Sequence, residues 1–259
     1  MTRLPDFTLG AYAELLDALR EAGYALAPVT ALADAAPGRT AFLRHDVDFS
    51  LARLPEMAAV EAERGVRASY YVALTQPYNA FSSVGRAAVR ALAEMGHEIG
   101  LHYDMTTYPA SPDAWRDHLA WEVGALERLA GAPVRTLCMH QPFLGTPDPF
   151  RTLDGLVHPH DPRLQDGLVY VSDSCRAWRD ETLLDALRPD GPDRLLLNTH
   201  PEVWLGRPGT ARLDDLARIL GDATAEHRAY FRREVAEVWA THEAPLRHDA
   251  REGARPTRP

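Results

Sequence analysis

The chain has 259 residues, 46% of them hydrophobic, and a formal charge of −9. That length suits one large α/β domain, the composition is that of a globular protein, and the acidic balance excludes a nucleic-acid binder, whose phosphate partners demand a basic face. No apolar run approaches the ~20 residues that span a bilayer, and Met1 to Gly10 lacks a signal-peptide core, so a cytoplasmic protein without membrane partners is expected.

The elements follow in order. Phe7 to Arg20 has helical spacing and stops near Gly23. Thr40 to Phe49 is a strand, Leu51 to Arg64 a helix closed by Gly65, and Arg67 to Leu74 a strand rich in aromatic and β-branched residues. Val84 to Met95 reads as a helix, Glu98 to Tyr103 as a strand, Pro112 to Ala130 as a helix before Gly131, and Thr136 to His140 as a strand. Leu168 to Ser172 and Leu195 to Thr199 are two more strands, and Leu213 to His242 is helical. Strands separated by such helices imply parallel pairing with right-handed crossovers. At least six of them favour a TIM-like barrel over an open sheet. Residues 1–245 are expected to form this single domain, with 246–259 a disordered tail rich in Arg and Pro.

In such folds ligands gather at the carboxyl ends of the strands. His45, Asp46, Asp48, His102, Asp104, His140, Asp173 and His200 all fall there. Within Arg44-His45-Asp46-Val47-Asp48, alternation puts Asp46 and Asp48 on one face, roughly 6.6 Å apart along the strand. Two carboxylates so placed are costly unless a cation or proton separates them. Carboxylate oxygen with imidazole nitrogen suits zinc, or alternatively nickel, cobalt or iron, whereas calcium would want oxygen alone. Asp48 and His102 are the first two ligands expected; His140, Asp104 and His200, in that order, are candidates for the third. Asp46 is then free as general base, and His200 is the histidine placed to protonate a leaving amine.

His45 falls on the opposite strand face from Asp46, and His97 on the opposite face from His102, so both are read as structural. His158-Pro159-His160 reads as an exposed loop or, as the alternative, as part of a long irregular stretch from Pro142 to Gln165 that covers the pocket. Trp178 and Trp204 are candidates for stacking on a sugar ring, with core packing an almost equal alternative. Cys138, inside an apolar run, is read as packing, and Cys138 and Cys175 are too few for a disulfide scaffold. Arg44 is a candidate partner of a nearby carboxylate and receives no further role.

Asp46-Val47-Asp48, Gly96-His97-Glu98-Ile99-Gly100-Leu101-His102, His140-Gln141-Pro142-Phe143, Asp173 with Trp178, and Leu197 to His200 occur in an order that resembles the polysaccharide deacetylase (NodB-homology, carbohydrate esterase family 4-like) superfamily over roughly residues 40 to 205. The resemblance implies an irregular (β/α)7 TIM-like barrel, with Asp46 as base and Asp48 and His102 as ligands to one divalent ion. It also implies that Phe143, Asp173 and Trp178 line the pocket. Two positions depart from the family pattern: Thr106 stands where a second metal histidine is usual, and His140 where an arginine is usual. One hypothesis joins them, with His140 replacing the missing imidazole; in the other, His140 only orients Asp46. The expected activity is hydrolysis of a non-peptide amide, N-deacetylation of an amino-sugar-containing small molecule or saccharide. Another small linear or cyclic amide, or a catalytically inactive carbohydrate-binding barrel, are the alternatives. Oligomeric state is not legible.

Overall fold

The computed structural model describes residues 5–34, 38–108, 111–141, 152–174, 177–178 and 182–209, and then 213–215, 217–222, 224–225, 228–229 and 232. Two compact units divide the chain, Met1–Ile219 and Leu220–Pro259. All the strands described here belong to the first. The expected tail at 246–259 lies outside the described residues, as does most of the expected C-terminal helix.

The first unit runs α1 (Leu9–Glu21), β1 (Ala25–Pro28), β2 (Thr40–Val47), α2 (Leu54–Ala62), β3 (Ser69–Val72), α3 (Ser83–Glu94), β4 (Glu98–Tyr103), α4 (Pro112–Ala130), β5 (Leu137–Met139), β6 (Leu168–Ser172), α5 (Thr182–Ala186), β7 (Arg194–Thr199) and α6 (Pro201–Trp204). Side-chain oxygens cap α1, α3 and α4. Thr8 accepts from Ala11 N–H, Ser82 from Gly85 N–H and Ser111 from Ala114 N–H. β1 escapes the sequence reading because it is four residues long and ends in a proline.

Every strand pair is parallel, in the order β5-β4-β3-β2-β7-β6. β1 pairs with Thr40 to Leu43 of β2, and β3 takes over the same edge from Arg44 to Val47. The sheet curls into a half-barrel, the architecture expected of an irregular (β/α) barrel. It is open between β5 and β6, where one isolated bridge, Thr136 to Val157, continues the pairing. β2, β3 and β5 are buried along their whole length, as parallel strands covered on both faces must be.

Alternation sorts the side chains into two clusters. The larger joins Leu43, Val47, Tyr70, Val72, Leu101, Leu195 and Leu197 to the helices. The smaller joins Phe42, Tyr71, Cys138 and Leu196 to Val29 and Leu32, on the strand face that also carries Arg44, Asp46 and His102. That inner face is therefore apolar at its base and polar at the carboxyl ends. Gly100 shows how tightly it is packed: a Cβ there would stand 2.8 Å from ring atoms of Tyr71. Gly96, with φ +88°, takes the left-handed turn between α3 and β4 that side chains resist. Both glycines of the Gly96-to-His102 segment thus have a backbone reason.

Candidate metal centre

β2 ends at Val47, and Asp48 follows immediately. Tyr78 pins this exit, its hydroxyl donating to Val47 C=O (3.0 Å) and accepting from Ala73 N–H (2.8 Å). His102 on β4 contacts Cys138 C=O through Nδ1 (3.1 Å), which aims Nε2 at the site. The backbone N–H of His140, just past β5, donates to Tyr103 C=O (2.8 Å). One ligand atom each from Asp48, His102 and His140 lie within 4.8 Å of one another. His102 Nε2 is 3.5 Å, and His140 Nδ1 3.4 Å, from Asp48 Oδ1, and the two ring nitrogens are 3.1 Å apart. Asp48 Oδ1 is buried and has no hydrogen-bond partner. A buried carboxylate oxygen left alone between two imidazoles is costly unless a further cation or proton joins it. Two nitrogens and one oxygen are the donors of a three-ligand divalent-metal site with a position left open, so the residues fit such an ion.

The other two candidates for third ligand are engaged elsewhere. Asp104 Oδ1 accepts from both the N–H (2.9 Å) and the hydroxyl (2.7 Å) of Thr106. His200 holds Asp173 Oδ1 with Nδ1 (2.6 Å), leaving Nε2 3.7 Å from Asp48 Oδ2.

Two supporting arrangements flank the cluster. In the first, Arg44 grips Asp46 side-on, Nε to Oδ1 at 2.8 Å and Nη2 to Oδ2 at 2.7 Å, while Asn198 donates to Oδ2 at 3.1 Å. Burial alone would push the Asp46 carboxyl up, but Arg44, with His102 and His200, outweighs it and brings the pKa down to about 2. Asp46 is therefore ionised throughout the physiological range. In the second, burial would strip His200 of its proton, but Asp173 raises its pKa to about 10. Asp173 is itself held by His200 N–H and by the Trp204 indole N–H (2.7 Å).

Several expectations need correction. Asp173 and Trp204 have no exposed surface at all (0% each), so neither lines a pocket. The Trp204 indole N–H satisfies Asp173 Oδ2, and Asp173 orients His200. Trp178, half-buried, donates to Pro5 C=O and stacks on Phe7 at 5.7 Å. Phe143 lies outside the described residues. His158 is buried, not exposed: it contacts the Tyr103 hydroxyl, and His160 meets Arg44 Nη1 at 2.7 Å. Burial holds both neutral, with pKa values lowered to about 3 and about 4. Cys138 is buried and its thiol pushed up to about 12, which makes it a packing residue.

Sequence reasoning missed Asn198; it offered Arg44 as partner of a nearby carboxylate, which is Asp46, without giving it a role. Arg44 had a signal: two residues before Asp46 on one strand, it must share its face. Asn198 had none, because only the β2–β7 register sets it beside Arg44. Next to His140, a cleft of about 130 Å³ is lined by Gln76, Asp104, Met105, Thr106, Met139 and Gln141. Among the described residues no helix is long and apolar enough to cross a membrane.

No family model and no curated protein matches the chain. Solved structures similar to it include a family 4 acetyl xylan esterase from Clostridium thermocellum in complex with a cobalt ion, at 19% identity and TM-score 0.43 over 72% of this chain and 84% of that one. A chitin deacetylase from the fungal pathogen Colletotrichum lindemuthianum is 14% identical, with TM-score 0.41 over 71% of this chain and 81% of that one. A family 4 carbohydrate esterase from Bacillus anthracis is 15% identical, with TM-score 0.38 over 82% and 86%.

Proposed function

We propose that the chain is a metal-dependent hydrolase of non-peptide amides, an N-deacetylase acting on an amino-sugar-containing or related small molecule. The observation carrying this reading is the orphaned Asp48 Oδ1 facing His102 and His140, with an ionised carboxylate and a protonated imidazole beside it. Asp48, His102 and His140 would hold one divalent ion, zinc before nickel, cobalt or iron by donor type. Such an ion supplies Lewis-acid polarisation of an acyl oxygen and a water acidic enough to lose its proton near neutrality.

The chain's own residues supply the rest. Asp46 takes the proton of the attacking water at Oδ1, where Arg44 keeps the carboxylate charged and fixed. Arg44 also sets a limit, since a carboxylate with a pKa near 2 is a weak base and acts only on an already acidified water. His200 delivers the opposite proton from Nε2 to the departing nitrogen, while Nδ1 stays on Asp173. The base and the acid are thus held by separate partners, Arg44 and Asp173, which keep one ionised and the other charged.

The test is a panel of N-acetylated amino sugars and small linear and cyclic amides, assayed with zinc, cobalt, nickel or iron. Metal-dependent release of acetate from the sugars, lost in Asp46→Asn, is expected. Turnover of only the non-sugar amides would move the substrate to that class. No turnover with any of them, in a protein that binds metal, would contradict hydrolysis.

A further inference from the structure

Glu202, on the first turn of α6, is not explained by the chemistry above. Its side chain is 3% exposed and turns back from the His200 strand end toward the exit of β2. There Oε1 accepts three successive backbone N–H groups, from Asp48 (3.0 Å), Phe49 (2.8 Å) and Ser50 (3.2 Å). Successive amides converging on one oxygen make a concave anion site, here filled by the protein's own carboxylate. Oε2 is buried and has no hydrogen-bond partner, a cost in stability with no return to the fold visible around it. Arg218 anchors the other side of the residue, donating to Glu202 C=O at 2.9 Å.

The consequence is positional. Asp48 lies beyond the last residue of β2, so the sheet does not fix its backbone. Its ligand oxygen must nevertheless stay between His102 on β4 and His140 after β5. Glu202 replaces the missing ladder bonds with three of its own, and they come from the segment that begins at His200. We infer that Glu202 is a positioning residue, tying the Asp48 segment to the His200 turn so that metal ligand and proton donor keep one register. This rests on the metal-hydrolase reading, which it extends to a residue that touches neither ion nor substrate.

The experiment is titration of the metal-free, full-length chain with Co²⁺, followed by calorimetry and by visible absorption, which reports the ligand field. Glu202→Ala is expected to bind cobalt about 10- to 100-fold more weakly, the usual cost of losing support behind a ligand, with a changed spectrum. Glu202→Gln keeps an acceptor oxygen and is expected to recover affinity to within about threefold of wild type. Should Glu202→Ala fail to fold, Glu202→Met retains the volume without the acceptors and takes its place. Amide hydrogen exchange at Phe49 and Ser50, read without metal, is expected to accelerate in Glu202→Ala or Glu202→Met. Wild-type cobalt affinity and spectrum in a folded Glu202→Ala or Glu202→Met would overturn the inference, even if that variant melted at lower temperature. A wild-type chain that binds no cobalt would overturn the metal reading itself, and slow exchange at Phe49 and Ser50 in the variant would separately overturn the tether.

Discussion

His45 and Asp46 are neighbours on β2, and each belongs to a buried cluster of acids and histidines on its own side of the sheet. The outer cluster centres on Glu61, fully buried on α2. Glu61 accepts from the Tyr12 hydroxyl (2.5 Å), the Tyr70 hydroxyl (2.7 Å) and His45 Nε2 (2.8 Å), with His97 3.5 Å away. His45 completes its own bonding on Thr199, and His97 on Ala58 C=O and Ala68 N–H. Both Glu61 oxygens have partners. The inner cluster has the same kinds of residue, but its Asp48, His140 and His200 side chains keep 14–16% exposure against 0–1% for Glu61, His45 and His97, and Asp48 Oδ1 has no hydrogen-bond partner. Residue type does not separate the two; residual exposure and hydrogen-bond satisfaction do. A closed network holds a fold together, whereas an unsatisfied buried oxygen is a group that chemistry can use.

The comparison breaks if the two clusters respond alike to mutation. The largest effect expected is on turnover: Asp46→Asn should lower kcat by about 10²- to 10⁴-fold, the range for a lost general base, with metal stoichiometry per folded chain little changed. Glu61→Ala should spare turnover per folded chain and act on stability instead. Stranding two histidines and two tyrosines in the core is expected to cost about 3–5 kcal/mol in urea unfolding, the scale for breaking a buried charged network, while the folded fraction still binds metal. Equal loss of metal from Glu61→Ala and from Asp48→Ala would erase the distinction.

The open seam between β5 and β6 sharpens it. His158 and His160 are held neutral there, well below the ordinary histidine range. Their folded-state values are depressed, so the unfolded chain binds more protons below about pH 6.5. Stability is then complete above that pH and falls as pH drops toward 4, by up to ~1.4 kcal/mol per pH unit for each histidine. Chemical denaturation at pH 7.5 and 5.0 measures this, and His158→Phe should flatten the slope. The smallest effect is expected at Gly100, where alanine would press on Tyr71 at 2.8 Å and cost about 1–3 kcal/mol, as overpacking does. A Gly100→Ala protein with wild-type stability would show that the inner face has room to give.

Much of this was legible from local pattern. The strand at Glu98–Tyr103 and the helix at Pro112–Ala130 have the predicted bounds, because a single periodicity and a glycine stop define each. Asp48, His102 and His140 could be proposed because ligands collect at parallel-strand ends. What stayed hidden depended on long-range pairing. The Asp173–His200 contact needs β6 beside β7, and the Glu202 contacts need α6 folded back onto the β2 exit. Trp204 was misplaced for a related reason: an indole reads as a sugar platform until its N–H is seen satisfied inside the core. For Arg44 only the carboxylate was left unnamed, and counting two residues along the strand would have named Asp46.

The most direct measurement is metal content by elemental analysis, on the wild type and on Asp48→Ala, His102→Ala and His140→Ala after reconstitution with zinc. The account predicts one metal ion per wild-type chain and none retained in any of the three variants. A wild type that retains none, or a His140→Ala protein that keeps its metal, would contradict it.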